Sequence, residues 1–108
     1  MEKYEVVTTL SAQLDLNDAV AWYESQKEGL GIDFLLEFYD QFVHIENNPT
    51  MYQVVYGEFR RFQMKRFPHS AFYRTDDRTA YKRVVVVAVL HSKSGPEKLK
   101  RRLGINIP

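Results

Sequence analysis

The chain has 108 residues, 44% of them hydrophobic, 27% charged and none cysteine. That length suits one domain with a core of its own, and the lack of cysteine excludes disulfides and thiolate metal sites. The net charge of +1 hides opposite halves: Met1–Gly57 carries ten acids against two bases, a net −8, and Glu58–Pro108 carries thirteen bases against four acids, a net +9.

In chain order, Tyr4–Thr9 is β-prone and short, a first strand. Ser11 is placed to cap the helix that follows. Ala12, Leu16, Ala19, Val20 and Tyr23 recur at helical spacing, and the helix should reach Gln26. Gly29-Leu30-Gly31 breaks it and lets the backbone reverse. A second helix is expected over Ile32–Glu46, with Leu35, Phe38, Tyr39, Phe42 and Ile45 as its main apolar face. Phe34, Leu36 and Val43 widen that face. Asp33 suits the positive end of the helix dipole, and Asn47-Asn48-Pro49 ends the helix. Two amphipathic helices joined so briefly make an antiparallel hairpin.

The second half changes period. Phe59–Phe67, Ala71–Arg74 and Lys82–His91 read as strands, with Pro68 marking a bulge, strand end or edge. Asp76-Asp77-Arg78-Thr79 is a polar turn. Val84–Leu90 lacks polar alternation and should be a central strand covered on both faces. Its seven residues are too few to span a membrane, and the N-terminus, without an apolar leader, reads as mature protein. Glu97–Leu103 should form one or two helical turns. The whole is a single α+β domain over residues 1–108, ordered β-α-α-β-β-β, with the helical hairpin on one face of a mainly antiparallel sheet. Val20, Tyr23, Leu35, Phe38, Phe42, Val85 and Val87 are expected between helices and sheet.

Three groups of residues offer chemistry. In the strand after Phe59, Arg61, Gln63 and Lys65 share one face and Arg60, Phe62, Met64 and Arg66 the other. With Phe62 and Met64 under the helices, Arg61 and Lys65 project from the open face, as phosphate-neutralising cations or as ordinary solvated residues. His91 and Lys93 follow the central strand, where a loop can hold an acid–base histidine beside a cation. Lys98, Lys100, Arg101 and Arg102, with Arg74, complete a basic surface for a polyanion or an acidic partner; the commoner explanation is a solvated tail, or a tail folded back on the acidic helices. The three histidines lack metal-ligand spacing, and no phosphate-binding or nucleophile-elbow sequence occurs. No metal or other cofactor is expected.

Asp15-Leu16, Ala19-Val20, Trp22-Tyr23, Gly29-Leu30-Gly31, Phe34-Leu35, Asn48-Pro49, Arg60-Arg61, Arg66-Phe67-Pro68, Tyr73, Val89-Leu90-His91 and Pro96 stand in an order that resembles the RelE/ParE superfamily of toxin–antitoxin toxins. The ParE-like branch, the plasmid stabilisation proteins, is the closer match, over about residues 4–102. The resemblance implies a cytoplasmic toxin, a cognate antitoxin as partner and DNA gyrase as target. The other branch implies a ribosome-dependent mRNA endonuclease, for which Lys65, Lys93 and His91 would be catalytic. A third possibility is a non-toxic, protein-binding derivative. Arg60, Arg61, Arg66, Arg74, Arg101 and Arg102 would then meet a target, and Phe34, Leu36 and Val43 an antitoxin helix. The endonucleases carry an arginine where this chain has Ser70, and the ParE-like pattern a second base where it has Ser94. The resemblance therefore implies weak RNA cleavage at most.

Overall fold

The computed structural model describes residues 3–78 and 80–104. Thr79, the last residue of the expected polar turn, lies outside them. Eight elements follow in order: β1 (Glu5–Thr8), α1 (Leu10–Gln26), α2 (Leu30–Asn47), β2 (Val54–Tyr56), β3 (Phe59–Gln63), β4 (His69–Asp76), β5 (Arg83–His91) and α3 (Pro96–Leu103). The strands form one sheet in the order β1-β5-β4-β3-β2. Its pairs are antiparallel except β1 with β5, which run parallel from Glu5 opposite Arg83 to Thr8 opposite Val86.

The hairpin forms as its sequence dictates, with two local changes. Thr9, not Ser11, caps α1: its hydroxyl oxygen accepts from the Ala12 N–H at 3.1 Å. Either hydroxyl could do this, and β1 ends where Thr9 is the one at the helix mouth. The two glycines between the helices do different work. Gly29 has a φ of +88°, the left-handed region that favours glycine. Gly31 is inside α2, where a β-carbon would stand 2.7 Å from the Val20 carbonyl oxygen. It lets the helices touch. The Glu24 carboxylate ties the turn by accepting from the Gly29 and Gly31 N–H groups, each at 3.0 Å.

On α2 the buried residues are Gly31, Phe34, Phe38, Phe42 and Ile45. The stripe is thus turned from the expected one: Leu35 is half-buried and Tyr39 is exposed. Apolar residues at 34, 35 and 36 leave the phase open, and aromatic packing decides it. Phe34 stacks on Tyr23 with centroids 5.2 Å apart, and Phe42 meets Phe38 at 4.7 Å and Phe62 at 5.8 Å.

The sheet departs from expectation at three places. β3 ends at Gln63 rather than Phe67, because the Met64 N–H turns to the His69 carbonyl at 2.9 Å and the His69 N–H to that of Phe67 at 2.8 Å. The short edge strand β2 was not visible in the sequence. Third, β5 carries a bulge: Ala88 pairs with Phe72 and Val86 with Tyr73, so Val87 is the extra residue. Before the bulge, Val84 and Val86 join the helical core; after it Val89 does, while Ala88 and Leu90 enter a second cluster on the other face. The expected core members Val85 and Val87 are therefore only half-buried, as is Val20, whereas Tyr23, Phe38 and Phe42 are buried. The all-apolar run Val84–Leu90 has no polar residue to set its phase.

That second cluster corrects the picture of an open face. Glu97–Leu103 is a real helix, α3, whose Leu103 and Leu99 lie on Phe72, Ala88 and Leu90. Apolar side chains packed on both faces of β5 explain why Val84–Leu90 reads as an unbroken hydrophobic run.

Candidate functional site

Two hollows meet at the C-terminal end of β5. The larger, about 330 Å³, lies between α1 and the start of α3 and is walled by Trp22, Tyr23, His69 and His91. The smaller, about 140 Å³, lies on the α3 face and includes Arg61, Gln63, Ser70, His91, Ser92 and Ser94. Leu90, His91 and Ser94 line both. His91 is half-buried, and its Nδ1 accepts the Lys93 N–H at 2.9 Å. When neutral, His91 therefore carries its proton on Nε2.

His69 sits across the strand pair from His91, with ring centroids 5.1 Å apart. It is buried, and its Nδ1 is 3.1 Å from the Tyr23 hydroxyl. Burial, reinforced by the charge of a protonated His91, lowers its pKa to about 4. The imidazole is thus neutral at physiological pH. Burial likewise raises the Tyr23 phenol, and it pushes the Tyr73 phenol up to about 12. The Tyr73 hydroxyl donates to the Pro49 carbonyl at 2.8 Å and pins the loop after α2. Sequence reasoning singled out none of Trp22, Tyr23 or His69 for this place. Tyr23 reads as core, and only His69 beside Pro68 gave a hint.

The sequence-predicted bases scatter. Arg61 is exposed on the α3 face and lines its hollow. Lys65 lies beyond the end of β3 in a turn held to α2, where the Glu37 carboxylate accepts the Lys65 N–H at 2.8 Å. The structure brings the Lys93 backbone to His91, but neither Lys93 nor Lys65 lines either hollow. Arg66 pairs with Asp33 at 3.5 Å and Arg74 with Glu58 at 3.7 Å. Arg60 donates to the Tyr52 carbonyl at 2.7 Å, bracing the chain before β2. Arg102 is committed too, to Asp15 on α1, where the carboxylate also accepts the Val89 N–H at 3.0 Å. Here the tail does fold back onto an acidic helix. Arg101 is exposed. Four of the six arginines expected on a target surface thus have a partner within the chain.

Of the expected antitoxin anchors, Phe34 is fully buried and offers nothing to a partner, since its ring belongs to the Tyr23 stack. Leu36 and Val43 are 64% and 54% exposed. With Ile32 and Tyr39 they make an exposed apolar stripe along α2 at helical spacing. Among the described residues no helix is long and apolar enough to cross a membrane.

This architecture occurs in known proteins. The chain is similar to a chain of the chromosomal ParDE toxin–antitoxin system of P. aeruginosa, with a TM-score of 0.66 and 14% identity, covering 84% of this chain and 98% of that one. It is also similar to a chain of the toxin–antitoxin complex RelBE2 of Mycobacterium tuberculosis, with a TM-score of 0.51 and 23% identity, covering 82% and 98%. Those likenesses speak for the fold. No curated protein matches the chain. The family described as the ParE toxin of the type II toxin–antitoxin system parDE matches residues 6–95, nearly all of the sheet and the hairpin. The chain belongs to this ParE toxin family of type II toxin–antitoxin systems.

Proposed function

We propose that this domain is a toxin that acts in the cytoplasm by protein contact, with DNA gyrase as its target, and that a cognate antitoxin neutralises it. The composition of the hollow on the α3 face carries this reading. It offers one arginine, one histidine and four polar neutral residues to a phosphate, with Leu99 of α3 lying against it. Cleaving RNA by positioning and charge needs several preorganised cations around the scissile phosphate. Lys65 stands elsewhere, and Ser70 is buried where an arginine would serve. The exposed Leu36 and Val43 support docking of the antitoxin along α2.

The test is direct. Purified chain should inhibit supercoiling of relaxed plasmid by gyrase, and Arg61→Glu or Lys93→Glu should weaken that inhibition at least tenfold. Ribosome-dependent cleavage of mRNA should be absent. One observation favours the second reading: the Nε2–H of His91, fixed by the Lys93 N–H, is oriented as a proton donor between the two hollows. Robust cleavage abolished by Lys65→Ala would establish that endonuclease. Silence in both assays would leave the non-toxic binding derivative.

A further inference from the structure

The larger hollow, between α1 and the start of α3, plays no part in the proposed contact with gyrase. At about 330 Å³ it falls within the range of roughly 300–1,000 Å³ that small-molecule sites occupy. Its four walling rings, those of Trp22, Tyr23, His69 and His91, are joined by the apolar surface of Ala19 and Val89. Trp22 is 58% exposed and stands edge-on to Tyr23, with ring centroids 5.1 Å apart. A large ring left half in water beside a hollow is a platform on which a flat ligand can stack.

The polar groups of this hollow are few and uncommitted. His69 is 8% exposed, and among the described residues its ring has one hydrogen-bond partner, the Tyr23 hydroxyl. Every described side-chain nitrogen or oxygen that is shut off from solvent has a partner. The second ring nitrogen, Nε2, therefore keeps an opening, and the hollow is what His69 lines. His91 holds its proton on Nε2, as a donor, because the Lys93 N–H occupies Nδ1. A transition metal between the two imidazoles would need the lone pair that this proton occupies. Asp15, also on the wall, is committed to Arg102 and to the Val89 N–H. Asp18 and Lys98 are different: both are exposed and line the hollow, and neither has an ion-pair partner among the described residues.

We propose that this hollow binds a free guanine nucleotide, with its base against Trp22, its donor edge on Asp18 and its phosphate on Lys98. Guanine carries N–H donors at N1 and at its 2-amino group, a fork that matches a carboxylate, and an acceptor at O6 for the Nε2–H of His91. Adenine presents a lone pair at N1, which a carboxylate repels, so the site discriminates between the two purines. Arg101 follows Lys98 by three residues on α3 and is also exposed, so the two cations share a face toward a phosphate. A simple anion would face Asp18, and a simple cation would face Lys98 and the imidazole N–H. A neutral base with a phosphate tail satisfies both ends. The volume suits one nucleoside and not a run of bases. None of this depends on which cellular target the toxin has.

Trp22 is the single tryptophan of the chain, so its emission reports on the hollow directly. Guanosine monophosphate titrated into the full chain should quench it saturably, with a Kd below about 1 mM. Adenosine monophosphate should bind at least tenfold more weakly, and ribose phosphate, which lacks a base, should not quench. Asp18→Ala should weaken guanosine monophosphate at least tenfold and erase the preference over adenine. Lys98→Glu should weaken the nucleotide at least tenfold while leaving guanosine unchanged. Both positions are exposed, so the variants should melt like the parent chain. No saturable response up to about 1 mM, equal binding of the adenine nucleotide, or undiminished binding by Asp18→Ala would each overturn the proposal. So would a single-stranded oligoribonucleotide that quenches Trp22 where the free nucleotide does not, which would assign the hollow to nucleic acid. Gyrase inhibition is measured separately and stands or falls on its own.

Discussion

Asp15 and Arg102 meet across 87 residues of chain in a two-pronged ion pair, with nitrogen–oxygen distances of 2.8 and 2.6 Å. The pair fastens α3 to α1, and both side chains keep some contact with water, at 22% and 16% exposure. Arg102 also reaches the Val87 carbonyl at 3.3 Å, beside the bulge of β5. Asp15→Ala should cost roughly 2–3 kcal/mol, less than breaking a fully buried pair. Arg102→Ala should cost less than Asp15→Ala, since the Val89 N–H to Asp15 at 3.0 Å is a shorter bond than that of Arg102 to the Val87 carbonyl at 3.3 Å. Urea unfolding of both single variants and the double variant measures this, and a coupling below about 0.5 kcal/mol would contradict it.

His69 should make the fold acid-sensitive. Its imidazole takes a proton near 6.5 when unfolded but only at about 4 when folded. Between those values the unfolded chain binds more protons, so stability rises with pH across the window. The contribution is complete above 6.5 and lost as pH falls toward 4. That difference is worth about 3 kcal/mol by linkage. His69→Phe should flatten the corresponding part of the stability profile measured at pH 7, 5.5 and 4.

Gly31→Ala should destabilise more than Gly29→Ala. At position 31 the new β-carbon meets a backbone oxygen of α1 and the helices must part, at roughly 2–3 kcal/mol. At position 29 there is open space, and the cost is the left-handed backbone alone, about 1 kcal/mol. Thermal melting of the two variants ranks them.

Ser70→Arg should not create a ribonuclease. Ser70 is 5% exposed, paired across from Gln63 and Leu90, and an arginine there must displace α3 to fit. The expected result is a loss of roughly 1–3 kcal/mol from overpacking and no gain in mRNA cleavage with purified ribosomes. Cleavage raised tenfold in a stable variant would show that the site lacked only this cation.

The helical hairpin was legible because its signals are local. Apolar spacing, the Gly29 break and Pro49 each act within a few residues. Strand phase was less so. β5 is apolar at every position from Val84 to Leu90, and the bulge at Val87 arises from pairing with β4, which no window of sequence contains. The partners of the basic residues were hidden for a related reason. Arg60, Arg66, Arg74 and Arg102 look alike as free cations, and only the fold reveals which carbonyl or carboxylate each one finds. Exposure on α2 followed the same pattern: spacing put Leu35 on the main face, and the ring of Tyr23 selects Phe34 instead.

The parallel pairing of β1 with β5 sets the order in which the protein can be finished. β1 is made well before its partner, which begins at Arg83. Until then Val6 and Val7 have no neighbouring strand, and the helical hairpin has only part of the sheet to rest on. The contacts that complete the domain are thus among the most distant in sequence, which slows closure. Synthesis must run almost to the end of the sheet before a toxin exists.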